Sequence, residues 1–140
     1  MSAPPAPDID ACTCGVLRRA ARAATAIYDQ ALRPTGLRVT QFAILRILDR
    51  RGPLPVTRLA AEAGLERTTM ARNLDPLERR GLVRIVAGEA DARSRLTELT
   101  DAGRSALAEA LPHWRGAQAD LARRVEPGAV RALAAALHSG

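Results

Sequence analysis

A mainly α-helical fold with a small β-wing, arranged as a winged helix-turn-helix domain between N- and C-terminal helices, is predicted by three observations. Apolar residues make up 47% of the 140-residue chain but aromatics only 2%, so the core has to be built from Leu, Ala, Val and Ile, which suits helix packing better than a sandwich or barrel. Apolar positions recur at spacings of three and four along most of the chain. Between Leu82 and Leu99 that period gives way to two short β-like runs around the turn-rich stretch GEADARSR.

Residues 1–10 carry Pro4, Pro5 and Pro7 and little apolar content, which predicts a disordered arm before a single domain over 11–140. Val16, Leu17, Ala20, Ala21, Ala24, Ile27, Tyr28 and Ala31 form the stripe of a first long helix, ended by Pro34 and Gly36. Thr40 is the expected N-cap of a second helix with Phe42, Ile44, Leu45 and Leu48 inward, stopping at Gly52 and Pro53. Val56, Leu59, Ala60 and Ala63 make the apolar face of a third, with Gly64 where a left-handed C-cap is wanted.

In the fourth helix, within GLERTTMARNLDPLERRG, Met70, Leu74 and Leu77 define the buried side. Thr68, Arg72, Asp75 and Arg79 are thereby sent outward, with Thr69 between. Glu66 is a weak cap there, although its charge suits a helix N-terminus, and Pro76 removes one backbone donor and invites a bend. Leu82, Val83, Ile85 and Val86 read as one strand and Leu96 and Leu99 as its return, with Arg93 and Arg95 at the hairpin tip. Thr100 caps a long helix in which Leu107, Leu111, Trp114, Gln118, Leu121 and Val125 follow a coiled-coil-like spacing, and Pro112 is expected to kink it. Pro127 opens a last helix with Val130, Leu133, Ala134 and Leu137 on one face.

The 21 basic residues are all arginine and face 15 acidic ones, for a net charge of +6, which favours a polyanionic partner. An Ala- and Arg-rich composition also follows from GC-rich coding, so placement of the arginines carries more weight than their number. No apolar run approaches the ~18 residues of a membrane span, and the N-terminus lacks the basic-then-apolar pattern of a secretory signal, so a cytoplasmic protein is expected. Cys12 and Cys14 are too close in sequence to staple the fold, and with His113 and His138 they show no metal-ligand spacing. An enzyme is disfavoured, because there is no Ser/His/Asp set, phosphate-binding Gly loop or metal cluster, and no cofactor is expected. Outward threonines, arginines and a basic hairpin tip are instead what a DNA duplex requires.

Four segments in order, GLRVTQFAILRIL (36–48), LAAEAGLERTTMARNLDPLERRGLV (59–83), DARSR (91–95) and LTELTDAGR (96–104), resemble the MarR family of bacterial transcriptional regulators. The resemblance implies a winged helix-turn-helix over about 37–100 and a homodimer held by helices over about 11–32 and 101–138. It further implies a recognition helix in the major groove and a wing arginine in the adjacent minor groove. Carried over residue by residue, Thr68, Thr69, Arg72 and Asn73 become base or phosphate contacts, joined by Arg79 and Arg95. Arg93 becomes the wing reader and Asp91 the acid that orients the wing.

The activity so implied is a regulator, in the first instance a repressor, released from a pseudo-palindromic DNA operator by a small aromatic or phenolic ligand. Tyr28, Phe42 and Trp114 are the aromatics to line that site, with Arg18, Arg19 or Arg22 for a carboxylate. A second reading follows the organic-hydroperoxide-sensing branch of the family, whose reactive cysteine aligns with Cys14 and one of whose tyrosines aligns with Tyr28; Arg18 and Val39 stand where that branch has its other tyrosines. A third, from another class, is a protein-interaction module that keeps the winged fold without binding DNA, against which Arg72, Arg93 and Arg95 speak.

Overall fold

The computed structural model describes residues 12–88 and 94–138. Six α-helices and one hairpin occur among them: α1 (Thr13–Leu32), α2 (Val39–Arg51), α3 (Val56–Ala63), α4 (Arg67–Arg79), β1 (Val83–Ala87), β2 (Arg95–Leu99), α5 (Asp101–Arg124) and α6 (Pro127–His138). A single 3-10 turn, Arg33–Thr35, joins α1 to α2. The predicted class and element order are both realised.

Two packing units share α5. The first gathers α2, α3, α4 and the hairpin around Phe42, Ile44, Leu45, Leu48, Leu59, Met70, Leu77 and Val83, all essentially inaccessible. Burying each of these side chains contributes about 1.5–3 kcal/mol, so this cluster is the thermodynamic centre of the chain. In the second unit α1 lies along α5. Of α1 only Leu32 is buried, and of α6 nothing is.

The hairpin is antiparallel, with Val83 opposite Leu99 and Ala87 opposite Arg95. Leu54, between α2 and α3, adds an isolated bridge to Thr97 through reciprocal bonds of 3.0 and 2.8 Å, a third strand position that the sequence patterning did not announce.

Helix ends follow local chemistry with one correction. Thr40 does not cap α2; the helix begins two residues earlier, with Arg38 at the N-cap. The free amides there are taken by Gln41, whose Oε1 accepts from Arg38 N at 3.0 Å, and by Asp29 of α1, whose Oδ1 accepts from Val39 N at 2.8 Å. A cap supplied from ten residues upstream leaves no local signature, and it frees the Thr40 hydroxyl for another bond. Gly64 (φ 67°) ends α3 in the left-handed conformation expected of it.

Thr100 caps α5 as expected, accepting from Gly103 N at 3.0 Å while its hydroxyl donates to Gly81 O at 2.6 Å. Gly103 sits so close to the start of β1 and the end of β2 that a Cβ would lie 2.1 Å from Leu82 O and 2.5 Å from Leu99 Cδ1. α5 then runs unbroken across Pro112 to Arg124, and α4 across Pro76 to Arg79; each proline removes one ladder bond without ending its helix.

Candidate nucleic-acid interface

α3, the turn at Gly64 and α4 make the helix-turn-helix, and α4 displays its N-terminal half. The turn is tight because Leu65 N donates to Ala60 O at 3.0 Å past Gly64. Glu66 at the N-cap makes no side-chain cap bond, so the first amides of α4 stay open at the positive end of the helix dipole. Thr68, Arg72, Asp75 and Arg79 form one exposed stripe, and Thr69 beside them is half-buried.

Arg72 makes no ion pair among the described residues, nor does exposed Arg67 in the first turn, a cation the sequence reading passed over although it opens the RTTMAR run. Arg79 is different: its guanidinium lies 3.6 Å from Asp75, with both side chains about 70% exposed (71% and 70%). Such a pair is worth little and is readily exchanged for a phosphate.

Asn73, expected among the DNA contacts, lies on the buried side of α4. Its Oδ1 accepts from the Thr40 hydroxyl at 2.6 Å and its Nδ2 donates to Thr69 O at 2.8 Å. The physical reason is its position, three residues after Met70 and four before Leu77, both of which are core.

On the hairpin, Arg95 begins β2 on the same side as Thr97 and Leu99 but beyond the core, where it is exposed. Arg84 and Glu98 form a cross-strand ion pair on the other side. Arg93 and Asp91, the expected wing reader and its orienting acid, lie outside the described residues.

Of the five residues expected to make a ligand pocket, Phe42 and Trp114 are brought together, but in the core edge and not with Tyr28 in one cleft. Phe42 is buried, stacked on Trp114 with centroids 5.6 Å apart, and Arg46 lies 4.9 Å from the Trp114 centroid, so the indole is engaged within the core edge. Tyr28 donates to Gln118, joining α1 to α5, and burial raises its pKa. It opens instead onto an apolar cleft of about 670 Å³ between α1, α5 and α6, lined by Leu17, Ala24, Leu121, Val125 and Leu133 with Arg124 and Arg131 at its edges. Arg18 and Arg22 are exposed on α1.

Cys12 and Cys14 are both exposed and free. Arg18 Nη2 approaches Cys14 Sγ at 3.6 Å, one turn along α1. Cys12 is the N-cap residue of α1, and the backbone amides of Gly15 and Cys14 hold its thiol below the usual range, against a small opposing desolvation.

The MarR family model matches residues 37–94. The transcriptional regulator MosR of M. tuberculosis is 44% identical, with a TM-score of 0.82, over 93% of this chain and 95% of that one. The chain belongs to the MarR family. It is therefore a DNA-binding transcriptional regulator and not an enzyme. MosR in complex with DNA is similar over 88% of this chain and 91% of that one, at 46% identity and a TM-score of 0.78. The transcriptional repressor CouR bound to a 23-mer DNA duplex is 27% identical, with a TM-score of 0.77, over 97% and 96% of the two chains. A comparison with curated proteins returns no match.

The family model covers α2 to β1 and the start of the hairpin, the part of this MarR protein that carries the exposed α4 stripe. Among the described residues, no helix is long and apolar enough to cross a membrane.

Proposed function

We infer that this MarR-family chain is a homodimeric repressor that grips a pseudo-palindromic operator with the first turns of α4 and releases it when a small aromatic or phenolic ligand binds. The observation that carries the reading is the α4 face: open amides at the helix N-terminus, Thr68 and Thr69 beside them, and Arg67 and Arg72 uncommitted to any acid among the described residues. Arg72 is suited to a base edge and the threonines to phosphates; Arg79 and Arg95 flank them. MosR, which is 46% identical, is known in complex with DNA, and CouR as a repressor on a duplex, which supports the DNA-gripping half of the reading.

The dimer rests on α6. Val130, Leu133 and Leu137 are 50, 44 and 66% exposed, and Val16 and Val125 are 46 and 44% exposed, so an apolar face continuous with the cleft has no cover among the described residues. A two-fold partner covers it from both sides at once. Tyr28, Arg124 and Arg131 at the cleft are the groups to meet a phenol or carboxylate there.

Selection from a random-sequence duplex pool tests the reading: two half-sites about 10 bp apart, bound with affinity that falls steeply with salt, are expected. Weak, sequence-blind association would favour the interaction module. Light scattering should give a dimer at micromolar concentration and a monomer for Leu133→Arg.

One observation favours release by oxidation as a second reading: Cys14 is exposed near the start of α1, and Arg18 Nη2 lies 3.6 Å from its Sγ. Its thiolate attacks an organic hydroperoxide, the sulfur becoming a sulfenic acid while the peroxide leaves as the alcohol. Cys12, also exposed, with its pKa lowered by the backbone amides of Gly15 and Cys14, is the other candidate. Peroxide-driven loss of DNA that survives when Cys12→Ser and Cys14→Ser are combined would end this reading.

A further inference from the structure

We propose that Asn73 and Thr40 form a positioning pair that sets how α4 faces DNA, so that sequence preference depends on a hydrogen bond touching neither base nor phosphate. The proposal rests on α4 being the DNA-reading helix and concerns how that helix is aimed. Asn73 is 9% exposed, and both ends of its amide are used: Nδ2 donates to Thr69 O at 2.8 Å and Oδ1 accepts from Thr40 Oγ1 at 2.6 Å.

The polarity of this pair is fixed. In a regular helix Thr69 O already takes the backbone N–H of Asn73, and as an acceptor it can face only the NH₂ end of the side-chain amide. Oδ1 is thereby turned toward α2, where Thr40 must donate. The hydroxyl is free to do so because Asp29 and Gln41 satisfy the amides at the start of α2.

What the pair controls is rotation. The apolar contacts of Met70, Leu74 and Leu77 are non-directional and tolerate small turns of α4 about its axis. The helix has no side-chain N-cap to pin its first turn. The Thr40–Asn73–Thr69 bonds tie that turn to the next one, beside Thr68 at one end and immediately after Arg72 at the other. Asp29 carries the restraint back to α1, so the recognition helix is referenced to the long helices and not only to its own lobe.

Three variants test this against a purely structural role, with a duplex selected on the unaltered protein and a shuffled duplex of the same length as probes. Thr40→Ser keeps the donor and should keep the preference for the selected duplex. Thr40→Val removes the donor and should reduce that preference about tenfold, chiefly by weakening the selected duplex, with the salt dependence of the shuffled duplex unchanged. Thr40→Val combined with Asn73→Leu replaces both partners by apolar groups and should restore the melting temperature but not the preference.

If the double variant recovers both, the pair only stabilises the fold and the proposal fails. If Thr40→Val discriminates as well as the unaltered protein, it fails again. Failure of the unaltered protein to select any duplex would overturn the DNA reading itself, and the positioning role with it.

Discussion

Gly103→Ala is expected to destabilise the chain more than any other exchange of glycine for alanine in its helices. A Cβ would stand 2.1 Å from Leu82 O and 2.5 Å from Leu99 Cδ1, and the first obstacle is backbone. That carbonyl cannot swing aside freely, since it accepts from Thr100 N at 3.1 Å, and Thr100 in turn caps Gly103 N and donates to Gly81 O. Overpacking of this kind costs about 1–3 kcal/mol. Loss of the threonine cap adds about 1 kcal/mol, and a disturbed backbone bond about another 1 kcal/mol.

Against these, alanine gains about 1 kcal/mol over glycine in a helix. The net expectation is a loss of about 3 kcal/mol, or roughly 10 °C in melting temperature for a chain of this length. Gly116 in the same helix supplies the control: a Cβ there meets nothing within 4 Å, so Gly116→Ala should gain about 0.5–1 kcal/mol. Urea unfolding of the three proteins at one concentration reads both signs. A Gly103→Ala protein as stable as Gly116→Ala would show that α5 does not meet the wing base as described.

Three further outcomes are expected. Thr97 is fully buried and its hydroxyl lacks a partner among the described residues, so Thr97→Val should raise stability by about 1 kcal/mol in the same unfolding assay; a loss would reveal a bond to the hydroxyl. Arg72→Ala should relax base preference at one position per half-site by about 1–3 kcal/mol in a competition assay, whereas an equal loss on every sequence would assign Arg72 to phosphate. In Cys14→Ser, alkylation of Cys12 should accelerate with pH earlier in the folded protein than in the urea-unfolded chain, because the folded thiol releases its proton at lower pH; coincident profiles would remove the basis for redox sensing at this residue.

Helical periodicity made most of this fold readable, and the misplacements came where something other than period decided. Asn73 was assigned to the DNA by resemblance, yet its spacing from Met70 and Leu77 already put it inside; the period was the better guide. In α5 the eye goes to Leu107, Leu111 and Trp114, but these are only partly covered, while Gly103, Ala110 and Ala117, seven residues apart, are the buried positions. Small residues mark where a helix comes closest to its neighbours, and patterns weighted by side-chain size miss them. The cap from Asp29 and the strand bridge at Leu54 depend on tertiary contact and have no local signal at all. The exposed face of α4 was legible because an amphipathic helix declares its polar side; the separate settings of Tyr28, Phe42 and Trp114 were not, because aromatic type alone does not distinguish a cleft wall from a core edge.

The placing of Trp114 has an optical consequence. It is the chain's one tryptophan, seated on α5 against Phe42 and Arg46, which are one turn apart on α2. Indole emission responds to a nearby cation and to a stacked ring, so any ligand, oxidant or duplex that slides α5 against α2 changes the fluorescence of the unlabelled protein. The junction between the long helices and the DNA lobe thus carries its own reporter, and the spacing of the two can be followed in real time as DNA binds.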